Sequence, residues 1–395
     1  MLATTNKFDA LLQSTREWRA RKGRVYVFDI QQIAGERPTF WWNPLTYVVD
    51  DVTAENLCAV FAGSEVVASS GGSSAFFTKA AARLLKALLR AAAVGKEPIT
   101  IVLEWLTNHE QCIEAVKHLN NHGLQELARQ VMQQMKAPEK QRGGVYETAA
   151  NWMACVGMDT VRPWITDPGD GTTPHLDLNQ FVRSTDTLYC LSRNAGAVGA
   201  GQVVAALVQA VCDAAEAYAS RSGGRMPVPL VGVLDEAANV VRWHRLPEVY
   251  SYYGSQGILL QSYFQSYEQG AAAFGREQMD MLWDSANLRV FGGGVASTRF
   301  LEDLVKLAGD YNYRQTSHSE NSRGGGGSRS TQIGDKTILT IADLASLPFG
   351  RALVFASGMR AALVRTPGWY EDPKRAALQK AIDDGELRAL TLEAA

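Results

Sequence analysis

Four apolar runs constrain the fold most: "DTLYCLSRN" (Asp186 to Asn194), "VPLVGVLDE" (Val228 to Glu236), "GILLQSYFQ" (Gly257 to Gln265) and "ANLRVFGGG" (Ala286 to Gly294). Stretches of helical spacing separate them, and strands alternating with helices imply βαβ crossovers and a parallel sheet covered on both faces. The beginning of the chain fits the same scheme. "MLATTNK" reads as a strand, Phe8 to Arg21 as a helix, and "RVYVFDI" (Arg24 to Ile30), bounded by Gly23, as a second buried strand. From about Thr53 to Asp177 the pattern changes to Ala-, Leu-, Gln- and Glu-rich blocks at helical spacing, the mark of an all-helical insertion. "GRALVFA" and "RAALVRT", separated by Ser357 to Arg360, read as a closing hairpin at the sheet edge.

The 395 residues suffice for more than one folding unit, and the net charge of -2 gives no field that would steer the whole chain onto nucleic acid. Any such contact has to be local. The five cysteines, at 58, 112, 155, 190 and 212, are odd in number and form no C-x-x-C pair, which implies a reduced, cytoplasmic protein. Ala75 to Val94 reads as the most apolar helical segment, but Lys79, Arg83, Lys86 and Arg90 interrupt it, so it cannot cross a bilayer. The first residues lack the parts of an export signal.

Two adjacent carboxylates, Asp235 and Glu236, end the run "PLVGVLDE". Burying unpaired charge costs several kcal/mol, so their place needs a reason. The carboxyl end of a parallel strand faces the crevice where α/β proteins bind ligands. There one carboxylate can hold a hydrated Mg²⁺ while the next orients or deprotonates an attacking water. Asp235 takes the metal-side role and Glu236 the water-side role. The plainer reading is that both simply cap the next helix, because acidic residues favour a helix N-terminus. Gln265 ends the following run, 29 positions after Glu236. A neighbouring parallel strand would bring its amide to the same crevice, where it could sense a terminal phosphate. Its plainer reading is an ordinary helix-start residue.

The stretch "PLVGVLDEAANVVRWHRLPEVYSYYGSQGILLQSYFQSYEQGAAAFG" resembles the Walker-B segment of the TraG/TraD-type coupling proteins, the conjugative DNA-transfer ATPases of type IV secretion. The resemblance extends to "VYVFDI…WWNPL" with Asn43, Pro44 and Leu45, to "ANLRVFGGGVASTRFLEDLVKLAGDY", and to the closing hairpin, and actinobacterial versions come nearest on "YSYYGSQGI". It implies an α/β, RecA-like P-loop NTPase core, a mostly parallel sheet flanked by helices, with an inserted all-α domain. Residues 1–50 and 179–395 would form the core and 51–178 the insertion. It also implies ATP and Mg²⁺ as cofactors, with Glu236 and Gln265 catalytic, Asp235 and Gln265 nucleotide-binding, and Asp235 holding Mg²⁺ through water. The implied partners are single-stranded DNA, a relaxase or relaxosome accessory protein and the secretion channel. The implied assembly is a hexamer, cytoplasmic and membrane-associated through an N-terminal segment.

The sequence departs from that family in two places. A phosphate-cradling loop needs G-x-x-x-x-G-K-[ST], yet after Gly95-Lys96 stands Glu97, and Arg90 sits at the first glycine position. In the family the P-loop and membrane helices lie upstream of the strand that "MLATTNK" resembles, so the expectation is a coupling protein without its beginning. The causes left open are a truncated or split gene, or a late start codon, and this chain alone is expected not to hydrolyse nucleotide. The family's arginine before "GI" is also missing, since "YYGSQGI" carries Gly254 and Gln256. Arg242, Arg245 and Arg276 remain as unselected alternatives for a finger.

Other constellations read more plainly. His118 and His122 have metal-pair spacing but lack the glutamate of H-E-x-x-H and a third ligand. "GGSSA" (Gly71 to Ala75) is a turn that misses the nucleophile-elbow pattern. Gly196, Gly199 and Gly201 run G-x-x-G-x-G, the reverse of the dinucleotide fingerprint, which weighs against a dehydrogenase. Trp41, Trp42 and Trp152 read as core or as stacking platforms for DNA bases. "SRGGGGSRS" (Ser322 to Ser330) reads as a flexible loop; with Arg323 and Arg329 it is either a surface excursion or a pore lining that tracks phosphates. A non-hydrolytic recruitment module that binds relaxase or accessory proteins stays as the alternative to the motor.

Overall fold

The structure, a computed structural model, describes residues 1–7, 11–63, 73–193, 199–241, 243–319 and 328–393. The chain forms two compact units. One holds Met1–Gln265, Gln269–Leu282 and Ala376–Ala395; the other holds Ser266–Glu268 and Trp283–Arg375.

The first unit is built on a five-stranded, wholly parallel sheet in the order β2-β3-β1-β4-β5. Its strands are β1 (Leu2–Thr5), β2 (Val25–Phe28), β3 (Thr187–Leu191), β4 (Leu230–Leu234) and β5 (Ile258–Ser262). β1 and β3 are buried along their whole length, as continuous apolar runs in parallel sheets are. Helix α1 (Leu11–Ala20) crosses back over one face and sets Leu12 among Ala3, Val27, Tyr189 and Leu191. The Thr15 hydroxyl lies 2.6 Å from that of Tyr189 and ties helix to sheet. The β2 strand ends at Asp29, whose buried carboxylate accepts the amides of Ile33, Ala34 and Glu36 and so folds the exit loop onto itself.

Between β2 and β3 come α2 (Asp51–Ala62), α3 (Ser73–Gly95), α4 (Thr100–Thr107), α5 (Cys112–Asn121), α6 (Gln125–Met135) and α7 (Glu139–Met153). The 23-residue α3 is the spine against which the other five pack. Asn43 starts this region: its side chain caps the turn Pro44–Tyr47 by accepting Leu45 N at 3.0 Å, and its own N–H donates to His175 Nε2 at 3.3 Å. Asp50 and Thr53 then form a reciprocal capping box that opens α2. After β3 comes α8 (Gly201–Arg221), with twelve buried residues. This helix, rather than Ala75 to Val94, is long and apolar enough to cross a membrane by length and composition, yet most of it is buried among its neighbours in the protein. Long core helices share that composition. All five cysteines are buried thiols without a disulfide.

The second unit carries a three-stranded antiparallel sheet, β10-β9-β6, from β6 (Leu288–Phe291), β9 (Arg351–Ala356) and β10 (Ala362–Arg365). Helices α10 (Thr298–Ala308) and α11 (Ile341–Ala345) bury Phe300, Leu301, Leu304 and Leu344 against Phe291, Leu353 and Phe355. The closing hairpin forms as read from the sequence, but in this antiparallel sheet and not at the edge of the parallel one. β6 does not join the parallel sheet among the described pairings; it pairs with β9 instead, a partner some 60 residues away that no local pattern names. The ribbon β7 (Asp310–Ser319) and β8 (Ser328–Thr337) stands as its own two-stranded ladder. Of the stretch read as a loop, residues 328–330 belong to β8, and residues 322–327 lie outside the described residues.

Candidate functional site at the carboxyl ends of β1, β4 and β5

Three neighbouring parallel strands end at one place, and polar residues lie within three positions of each end. β1 finishes in Thr4-Thr5 and is followed by Asn6; β4 is followed by Asp235-Glu236; β5 leads to Gln265. The register fixes the meeting. Thr4 pairs with Leu234, Asp235 N donates to Thr4 O at 3.2 Å, and Tyr263 N donates to Leu234 O at 3.0 Å. Asp235 and Glu236 are half-buried.

Glu236 adopts φ 48°, ψ 50°, the left-handed region. A non-glycine residue held there costs on the order of 1–3 kcal/mol and persists only where its surroundings over-determine it. The surroundings do so here. Glu236 Oε1 accepts Gln265 Nε2 at 3.2 Å, while Oε2 accepts Asn239 Nδ2 at 3.0 Å and also Asn6 Nδ2. Asn239 Oδ1 in turn accepts Gln269 Nε2 at 3.1 Å. Asp235 Oδ2 accepts Thr5 Oγ1 at 3.3 Å. The short helix α9 (Ala237–Val240) does begin next, but the Glu236 side chain makes no cap hydrogen bond to it. The simple capping reading of Glu236 is thus replaced by a carboxylate held by three amides from three segments. Gln265 is exposed and lies three residues beyond β5, within reach of Glu236.

Sequence reasoning singled out Asp235, Glu236 and Gln265, which the fold brings together, and it missed Thr5, Asn6, Asn239 and Gln269. The one available signal was the polar Thr-Thr-Asn ending of an otherwise apolar first strand.

Does this donor set suit Mg²⁺? Magnesium keeps most of its waters and takes one or two carboxylates plus phosphate oxygens. One strand-end carboxylate with a hydroxyl beside it fits the protein's share of such a water-mediated site. Among the described residues no group of three His, Cys, Asp or Glu forms a complete metal cage. The phosphate cradle is another matter. Gly95 ends α3 and Lys96 turns away from it at φ 57°, with no glycine loop around them.

The remaining motifs resolve as structure. His118 Nε2 lies 3.2 Å from a Glu97 carboxylate oxygen, and His122 Nδ1 lies 2.9 Å from the His118 carbonyl. Trp42 and Trp152 are buried in the core and Trp41 packs edge-on against His175, so none is a free stacking platform. Arg245 is paired with Asp213 at 3.2 Å. Arg242, Gly71, Gly72 and Gly196 lie outside the described residues.

A wholly parallel five-stranded sheet flanked by helices is a RecA-like α/β fold, and Glu236 and Gln265 meet at the ends of two of its neighbouring strands. Residues 229–349 match the family described as the TraM recognition site of TraD and TraG. The fold matches the bacterial conjugative coupling protein TrwBdeltaN70 in its unbound form at a TM-score of 0.59, with 15% identity over 93% of this chain and 84% of that one. The plasmid coupling protein TrwB in complex with ADP and Mg²⁺ matches at 0.57, also with 15% identity, over 93% and 84%. TrwB with the non-hydrolysable GTP analogue GDPNP does so at 0.57, over 93% and 85%. No curated protein matches the chain in sequence. Residues 229–349 are thus similar to the recognition segment of TraD and TraG, and the fold of the chain is similar to that of TrwB.

Proposed function

We propose that the chain is the Walker-B-bearing part of a conjugative coupling ATPase, which links relaxase-bound DNA to a type IV secretion channel and moves single-stranded DNA at the expense of ATP. The observation that carries this is the cluster Asp235, Glu236 and Gln265 at the ends of β4 and β5, in which Gln265, 29 positions after Glu236, is held at hydrogen-bond distance from it. Asp235 holds a hydrated Mg²⁺, Glu236 orients the water that attacks the terminal phosphate, and Gln265 reports the phosphate to Glu236. TrwB binds ADP with Mg²⁺, which supports these as the cofactors here. The accessory partner is of the TraM kind, the assembly a ring of six, and the location the cytoplasmic side of a membrane.

Among the described residues none forms a phosphate-cradling loop, so tight nucleotide binding calls for a G-x-x-x-x-G-K-[ST] element in addition to these residues. A recruitment module without hydrolysis is the second reading, favoured by the matched segment being described as a recognition site. Titration calorimetry of the full-length protein with ADP, with and without Mg²⁺, separates the two. On the motor reading Mg²⁺ strengthens binding, and Asp235→Asn removes most of that gain, about tenfold in affinity or 1.4 kcal/mol. An equal Mg²⁺ gain in the variant removes Asp235 from the metal role. No nucleotide binding at all, with accessory-protein binding intact, selects the recruitment reading.

A further inference from the structure

Two consecutive residues at the end of β1 meet two consecutive residues at the end of β4: Thr5 donates to Asp235 and Asn6 donates to Glu236, across 230 positions of sequence in each case. The Glu236 carboxylate is thereby crowded. An ionised carboxylate is an acceptor with about four lone-pair sites, and three of those on Glu236 are taken by amide protons from Asn6, Asn239 and Gln265. One site is left for a water, but the three bonds fix where it points, so a carboxylate that turns toward a water in line with a phosphate gives up at least one of them. Asn239 sits three residues along the same turn and moves with Glu236. Gln265 sits on the segment that follows β5. Asn6 is the donor that belongs to β1, the strand that leads through exposed Lys7 toward α1. Its other polar atom, Oδ1, is buried without a partner, so among the described contacts the carboxamide is fixed by Glu236 alone.

We propose that Asn6 is a positioning residue that parks Glu236 in an idle orientation, and that productive turnover requires the end of β1 to let the carboxylate go. This rests on the reading of Glu236 as the water-orienting residue. A hydrogen bond to a charged group is among the stronger ones, so losing this one releases the carboxylate by about tenfold or more. Because Thr5 adjoins Asn6 and holds Asp235, one displacement of the β1 exit reaches both acidic residues together.

The first test needs no nucleotide. Glu236 is labelled with carbodiimide and glycine ethyl ester in the purified chain, and the rate is read by peptide mass spectrometry. Asn6→Ala is expected to speed labelling of Glu236 about tenfold while exposed Glu55 is unchanged; equal rates at Glu236 overturn the proposal. The second test is ATP turnover of the full-length assembly with and without single-stranded DNA. Asn6→Ala is expected to raise the DNA-free rate about tenfold at an unchanged KM, shrinking the stimulation by DNA. The isosteric Asn6→Asp removes the donor without opening a cavity, and it has to raise the DNA-free rate too. DNA-free rates that stay at the wild-type value in both variants, while Glu236→Gln is inactive, overturn the parking role and leave the functional reading standing. Normal turnover in Glu236→Gln removes both.

Discussion

Glu236 stands in a backbone conformation that a side chain resists, and its carboxylate is bound on both oxygens. Strain of this kind at a site crevice is a cost to the fold that function retains. It yields a prediction at the scale of one residue. Glu236→Gly relieves the left-handed strain, whereas Glu236→Ala keeps it; both lose the carboxylate. Urea denaturation is therefore expected to find the glycine variant more stable than the alanine variant by about 1 kcal/mol. An alanine variant of equal or greater stability would mean the strain is absent. The acidic pair itself was legible in the sequence, because an apolar run ending in Asp-Glu is a local pattern. Asn6 was not. Its meaning comes from a contact made 230 positions away, which a window of neighbouring residues cannot contain.

Among the elements, the strand runs and the closing hairpin announced themselves by composition, whereas the capped turn at Asn43-Pro44 is seen only in the structure. What the element does next depends on His175, which closes "WWNPL" from a distance. Asn43 N donates to His175 Nε2, and the Trp41 ring packs on the imidazole with centroids 4.5 Å apart. An accepting Nε2 has to be unprotonated. Burial holds the His175 pKa below its ordinary value, although Asp177 and Asp167 pull the other way. The unfolded chain then binds the proton more readily than the folded one. Stability from this group is full above the unfolded value near 6.5 and is lost as pH falls through it toward the folded value. Urea denaturation from pH 7.5 to 5 should show stability falling with pH in the wild type and a shallower fall in His175→Gln. Parallel slopes would exclude His175 as the source. β6 was misassigned in sequence for a related reason. Its apolar run fits a parallel or an antiparallel partner equally well, and the partner it takes, β9, follows some 60 residues later.

At the scale of the whole molecule, the helical region and the strand-end cluster belong to one compact unit. A buried polar network joins them. Tyr47 donates to Asp213 at 2.5 Å, Arg245 pairs with the same carboxylate, and Trp243 donates to Gln209, whose amide donates to Tyr47. Gln209 and Asp213 sit on α8, the helix that follows β3, and Trp243 lies seven residues after Glu236, so the segment leaving the acidic pair is anchored to α8 and to the turn that ends at Tyr47. Desolvation raises the Asp213 pKa, and the Tyr47 hydroxyl and the Arg245 charge oppose that rise. None of this was visible in sequence, where each member is an isolated polar residue in an apolar helix or loop. The same holds for the division into two units, which depends on long-range pairing and not on any linker composition.

The account as a whole depends on Glu236 acting on a water at the end of β4. The most direct measurement is single-turnover ATP hydrolysis by the full-length assembly with single-stranded DNA, comparing wild type with Glu236→Gln. The account predicts a loss of about 10²- to 10⁴-fold in the chemical step with nucleotide affinity unchanged. A glutamine variant that hydrolyses at the wild-type rate would contradict it.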